Sequence, residues 1–396
     1  MPSSAESREE RRPKLRSAQA NPLVPESAVL QQARRFVEIC NACRYCEGYC
    51  AVFPAIELQR QFTSGDLSYL ANLCHDCRAC YYSCQYAPPH EFSLNLPKAF
   101  ADLRLETYER YAWPRPLAAL FRRNRIAAAV LALLCTALFV PLAKTPSSAA
   151  AGSENAGAFY AVVSEAVMIA ISGAAFLFAV LALGFGLANF WRDTSSSSGM
   201  RVSSLLAAFK DVLILRNLGG GGDGCNNRNE SFSQSRRYFH HALFYGFLLC
   251  FASTCTAAIY EHIFGWIPPY GLLSLPVLLG TLGGAAVLVG AAGLLQIKVT
   301  ADPAPTSEVL LHIDYSFLVL LFSAAATGLL LLAMRKSLVM GMLLALHLGV
   351  IVSLFLMLPY CKFVHGIYRA AALLRSAAER PRRSQNGAAV TEGAGS

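Results

Sequence analysis

Thirteen cysteines occur in the 396 residues, and eight of them fall between residues 40 and 84 in two matched groups. Cys40, Cys43, Cys46 and Cys50 read C-x2-C-x2-C-x3-C, and Cys74, Cys77, Cys80 and Cys84 repeat that spacing. Thiolates at i, i+3 and i+6 in a tight loop can wrap three corners of a cubane, while the fourth is carried away by the helix it begins. In chains that hold two [4Fe–4S] clusters, this fourth thiolate ligates the other cluster. The spacing therefore assigns Cys40, Cys43, Cys46 and Cys84 to one cluster, and Cys74, Cys77, Cys80 and Cys50 to the other. Structural zinc is the rival reading, but zinc sites use pairs of C-x2-C without the x3 step. Disulfides need an oxidising compartment. The first 30 residues carry Arg8, Arg11, Arg12, Lys14 and Arg16 with no apolar stretch of signal-peptide type behind them, so the expected amino terminus is cytoplasmic.

Histidine supplies the second set of candidate ligands. Six of the eight lie within or beside long apolar runs, where an ionisable residue is a functional hypothesis by default and interhelical hydrogen bonding is the plainer reading. His347 and His365 are 18 residues apart, which is five helical turns. On one continuous helix they share a face, roughly 27 Å apart along the axis. His240 or His241 stands 22 or 21 residues before His262, roughly 32–33 Å along another helix. With those two helices antiparallel, His240 or His241 meets His365 near the cytoplasmic end, and His262 meets His347 in the outer half. Bis-histidine ligation of one or two b-type haems is the expectation, with His312 as the rival ligand for the inner one.

These residues need elements to hold them. Hydrophobic residues make up 55% of the chain and charged residues 15%, with mean hydropathy +0.40, so much of the surface must face lipid. The net charge of +9 lies in short basic clusters beside apolar runs, as membrane orientation requires, and nucleic-acid binding is set aside. Runs at about 126–143, 160–190, 241–264, 272–296, 314–334 and 338–361 can each cross a bilayer, since roughly 20 residues span it. Basic residues gather before the first run, in the 192–240 loop and after the sixth. The positive-inside rule then puts both termini and that loop in the cytoplasm of a bacterial-type inner membrane.

The expected fold is all-α: a basic disordered tail over 1–30, a two-cluster domain over 31–115, six transmembrane helices within 120–370, and a disordered tail over 371–396. Within the first domain, Ala55 to Phe62 and Leu67 to Leu73 read as short helices, with Asp66 capping the second. Gly219 to Gly222, followed by Asp223, Gly224 and Cys225, reads as a flexible turn or a docking surface; no Gly-Lys-Ser/Thr makes it a P-loop.

Short helices between the cysteine groups, in place of hairpins, resemble the α-helical ferredoxin of fumarate reductase and heterodisulfide reductase subunits. The His347–His365 stretch, with Pro359 and Lys362 before the second histidine, resembles the haem-binding helix of the respiratory nitrate reductase gamma subunit. Cys43-Arg-Tyr-Cys-Glu-Gly-Tyr-Cys50, Gly65-Asp-Leu-Ser-Tyr-Leu-Ala-Asn-Leu-Cys74, Cys84-Gln-Tyr-Ala-Pro-Pro-His-Glu-Phe92, Tyr111-Ala-Trp-Pro114 and Arg236-Arg-Tyr-Phe-His-His241 resemble the tricarballylate-utilisation (citrate-utilisation) protein B family. The cobalamin-pathway protein CobZ resembles a fusion of that protein with its partner. The resemblance implies a partner FAD-dependent tricarballylate dehydrogenase, whose reduced flavin is reoxidised toward the membrane quinone pool. Two other functions fit the residues: a membrane subunit of a heterodisulfide or thiol reductase, and a cluster-based redox sensor.

Overall fold

The protein was analysed as a computed structural model that describes residues 26–142, 159–195, 201–220, 222, 224–226 and 231–393. The expected tail over residues 1–25 lies outside that range. Ser27 already caps the first helix, its hydroxyl accepting the Leu30 N–H at 3.1 Å.

The Cys-rich domain is helical. Helix α1 (Ala28–Cys43) buries Leu30, Ala33, Phe36 and Val37, a stripe at helical spacing, and ends at Arg44 in the left-handed region. Helices α2 (Val52–Glu57), α3 (Ser64–Leu73), α4 (Ala79–Tyr82) and α5 (Leu96–Tyr111) complete it. Thr63 caps α3, and Asp66 closes a capping box by accepting the Thr63 N–H. Phe36, Ile56, Leu67, Leu70, Leu73 and Phe100 form one core against which Cys40, Cys46, Cys50, Cys74, Cys80 and Cys84 pack.

Beyond it come α6 (Asn124–Phe139), a single turn α7 (Phe159–Val162), α8 (Glu165–Thr194), α9 (Val202–Leu213), α10 (Ser235–His262), α11 (Leu275–Thr300), α12 (Glu308–Ala333) and α13 (Met340–Met357). A final helix, α14 (Val364–Gly393), follows. The six apolar runs correspond to helices, but five are long and apolar enough to cross a membrane. Helix α6 has 16 residues, about 24 Å at 1.5 Å per residue, short of the ~30 Å hydrocarbon core. Leu133, Leu177 and Val289 point outward from the bundle, as lipid-facing side chains must. Helices α10 and α11 approach through glycine: a Cβ on Gly290 would stand 2.5 Å from the Leu243 nitrogen, and one on Gly283 2.8 Å from that of Cys250.

Two expectations fail at the carboxyl end. The stretch from His347 to His365 is not one helix. Pro359 sits in a 3-10 turn (Leu358–Tyr360), and Cys361 is extended before α14 begins. Proline removes a backbone donor and crowds the preceding turn, so the two histidines stand on separate helices and share no face. The segment after 371 is not a disordered tail either, because α14 continues through it. Ala372, Leu373, Arg375, Ala377 and Glu379 are buried where α14 packs on α3, α8 and α9.

Helix α14 fastens the two regions together. Arg375 donates to Asp66 of α3 at 2.7 Å and to Glu379 at 2.8 Å, stacks 4.0 Å over the Tyr69 ring, and bonds the Thr194 carbonyl at 2.5 Å. Losing one member of such a buried network strands the remaining charges. On the other side Arg78 donates to Thr306 (2.8 Å) and Tyr82 to Asp302 (2.9 Å), both in the α11–α12 loop. The 192–240 loop carries structure as well: α9, and a short hairpin of β1 (Cys225–Asn226) with β2 (Phe232–Ser233).

Candidate metal centres

The thiols act on one another in two overlapping sets. Burial first, then Cys46, Cys84 and Cys43, pushes the Cys40 thiol up to about 12. Burial, Cys84 and Cys43 push Cys46 up to about 12. In the other group burial, Cys77 and Cys74 raise Cys50. Burial raises Cys80 well above its ordinary value, aided by Cys77, Cys74 and Cys50 and, from the first set, by Cys46. Cys84 is thus close enough to act on Cys40 and Cys46, and Cys50 on Cys80, the proximity that a crossed ligand set needs. Four thiols packed this closely resist ionisation until a cation compensates them, and a coordinating metal deprotonates them outright. The donor sets fit two [4Fe–4S] clusters. Cys40, Cys43, Cys46, Cys80 and Cys84 line a cavity of about 220 Å³ at which Tyr45 stands 65% exposed.

The second thiol set backs onto the bundle. Arg104 of α5 donates to the Ala71 and Cys74 carbonyls at 3.0 and 3.1 Å. Arg369 of α14 donates to the Cys74 and Asn72 carbonyls at 2.7 and 3.3 Å. Arg236 of α10 donates to the Asp76 carbonyl at 2.7 Å. The glycine-rich stretch is packed here too. The Asn226 N–H donates to the Cys77 carbonyl at 2.9 Å. Gly220, at φ +52°, lies so close that a Cβ would meet the Gly224 oxygen at 2.0 Å. Sequence reasoning missed these three arginines. Arg236 precedes His240 by four and Arg369 follows His365 by four, so a cation one turn from a histidine beside an apolar run was the available signal.

Behind them lies a largely apolar cavity of about 260 Å³, lined by His75, His240, His365, Arg369, Phe247 and Phe363 among others. His75 follows Cys74 directly; burial, Arg369 and Arg236 hold it well below its ordinary value, so it is neutral. The His240 and His365 rings face each other with centroids 6.1 Å apart at 75°. Metal–imidazole bonds are about 2 Å, so two imidazoles on opposite sides of one iron have centroids roughly 6 Å apart. His365 turns Nδ1 to the Lys362 carbonyl, which leaves Nε2 unprotonated, the form that binds a metal. His240 and His365 are the two residues that would hold a haem iron at this cavity.

The remaining histidines are not brought to that cavity. His241 stacks on Tyr245 with the rings 5.7 Å apart. His312, offered as the rival inner ligand, lies 3.8 Å from Glu308 one turn earlier on α12. The outer pair does not form. His347 Nδ1 lies 3.0 Å from the Thr327 hydroxyl, while His262 groups with Glu165 and Glu261. The reason is packing: α10 lies along α11, whereas α13 packs on α6, α8 and α12.

Known proteins agree with this division of the chain. A family model described as the citrate utilization protein B Fer4-like domain matches residues 33–110, and one described as citrate utilization protein B matches residues 118–386. The change from one to the other falls just after α5. Citrate utilization protein B of Escherichia coli is 43% identical over 376 residues, covering 94% of this chain and 99% of that one. No solved structure matches. The Fer4-like domain gives the chain an iron–sulfur electron-transfer role, and five long apolar helices make it a membrane protein. With both of its parts matched end to end, the chain belongs to the citrate utilization protein B family.

Proposed function

We propose that the chain accepts electrons from a partner FAD-dependent tricarballylate dehydrogenase and delivers them to membrane quinone through two [4Fe–4S] clusters and one haem b. When bound, these groups supply one-electron steps that divide the flavin's two-electron reduction. Cys40, Cys43, Cys46 and Cys84 hold the outward cluster beside exposed Tyr45, where a partner can approach. Cys50, Cys74, Cys77 and Cys80 hold the inward one, and His240 with His365 hold the haem. The protein keeps the route short by fixing the Cys-rich domain to the bundle through Arg375, Arg78 and Tyr82.

One observation carries the reading: His75, the neighbour of Cys74, lines the same cavity as His240 and His365. That a neighbour of a cluster cysteine lines the same cavity as the two histidines supports a short route between cluster and haem. Orientation with the Cys-rich domain in the cytoplasm is supported by Arg122, Arg123, Arg192 and Arg216 near that end.

The test uses the full chain in membranes, reduced with dithionite and then mixed with a short-chain quinone. Reduction should give iron–sulfur signals and a b-type haem spectrum, and quinone should reoxidise both. Clusters that stay reduced in the presence of quinone would sink the proposal.

A further inference from the structure

The two thiol sets sit in unequal fields. Around the first, the adjacent cation is Arg44, exposed and turned to the Asn41 carbonyl at 3.2 Å. Around the second, three guanidinium groups from α5, α10 and α14 converge on the backbone of residues 71–76. Arg104 is 4% exposed, and Arg369 lines the cavity. The charges of Cys74 and Cys77 act directly on these groups. Asp76 acts on Arg104 and Arg236, while Asp314 is bound by Lys298 and Lys362 and Asp211 by Arg216 and Arg380. Three guanidinium groups converging on the backbone beside Cys74 suit a further anion there, and a thiolate-ligated cluster is one.

We infer that Arg104, Arg236 and Arg369 form a cationic cradle that makes the cluster of Cys50, Cys74, Cys77 and Cys80 the easier of the two to reduce, and hence the one from which electrons leave toward the membrane cavity. This rests on the reading above that both thiol sets carry [4Fe–4S] clusters. Adding an electron adds one negative charge, so fixed positive charge favours the reduced form, and net charge is among the factors that set cluster potentials. Water near the first set has the same sign of effect. The arginines act across a poorly solvated wall, where the effective dielectric is several-fold lower and the interaction correspondingly stronger. The transfer makes and breaks no bond. Reduced flavin supplies the electron, the first cluster gains and then loses it, and the second gains it. None of the three side chains touches the site as a ligand; they are positioning residues that set direction.

The experiment is a redox titration of the anaerobically purified full chain, followed by electron paramagnetic resonance, for wild type, Arg369→Gln, Arg236→Gln, Arg369→Lys and Arg44→Gln. Iron near eight per chain, with two cluster signals, secures the underlying reading; a chain without them defeats that reading and the inference with it. With both clusters present, Arg369→Gln and Arg236→Gln should each lower one midpoint by about 59 mV, a tenfold loss in its one-electron reduction equilibrium. The other midpoint should stay fixed, Arg369→Lys should restore the wild-type value, and Arg44→Gln should move neither. Unmoved midpoints, or equal shifts in both, overturn the inference. Should the glutamine variants not assemble, wild type alone decides: Cys50→Ser identifies the second cluster's signal, and the inference fails unless that signal has the higher midpoint.

Discussion

At the end of the bundle that carries the Cys-rich domain, two histidines from different helices face each other across 6.1 Å at a cavity wall shared with His75. At the opposite end, His347 pairs with Thr327 and His262 with two glutamates. Both levels have the same residue types at comparable helical spacing, yet one converges and the other does not. Spacing along a helix fixes depth, whereas ligation depends on which helices are neighbours. Helix α10 is committed to α11 through glycine contacts, so its outer end is not delivered to α13. At the inner end the break around Pro359 lets His365 leave the axis of α13 and ride on α14. The interruption, rather than continuity, accompanies the inner pairing.

The contrast can be broken by mutation, and the largest effect belongs to the inner pair. His365→Ala should abolish the b-type haem absorbance while both cluster signals remain; full haem occupancy in that variant would remove His365 from the ligand set. His240→Ala should do the same, whereas His241→Ala, whose ring lies against Tyr245, should keep the spectrum intact. The outer level should respond in stability alone. His347→Ala leaves the Thr327 hydroxyl donating to the Ser323 carbonyl at 2.7 Å but opens space beside Gly328, and should cost about 0.5–3 kcal/mol by denaturant titration with haem content unchanged. His262→Gln, at an exposed outer end, should change neither the spectrum nor stability beyond about 0.5 kcal/mol. A spectrum lost in His347→Ala would show that the outer level carries a haem after all.

How much of this was legible depends on how local each feature is. The cysteine quartets are readable because cluster geometry imposes spacing within a few residues, whereas the helix expected to begin at each fourth cysteine follows Cys50, as α2, and does not follow Cys84 until α5 at Leu96. His240 and His365 were legible as candidates, yet nothing in sequence separated His240 from His241 or from His312. The one-face relation of His347 to His365 assumed a helix running through Pro359, and one proline dissolved it. Helix α14 was illegible because Arg375 and Glu379 look like a solvated tail until Asp66, some 300 residues earlier in the chain, closes the network. Arg104, Arg236 and Arg369 were hidden for the same reason. They come from three distant elements, and their common target is backbone carbonyl oxygen, which carries no sequence signature.

Quantifying iron, acid-labile sulfide and haem in the anaerobically purified full chain tests the central claim most directly. Two cubane clusters and one inner bis-histidine site predict about eight iron atoms in clusters, about eight sulfides and one haem per chain. A zinc-loaded, iron-free protein, or clusters with no haem from haem-sufficient membranes, would contradict the account.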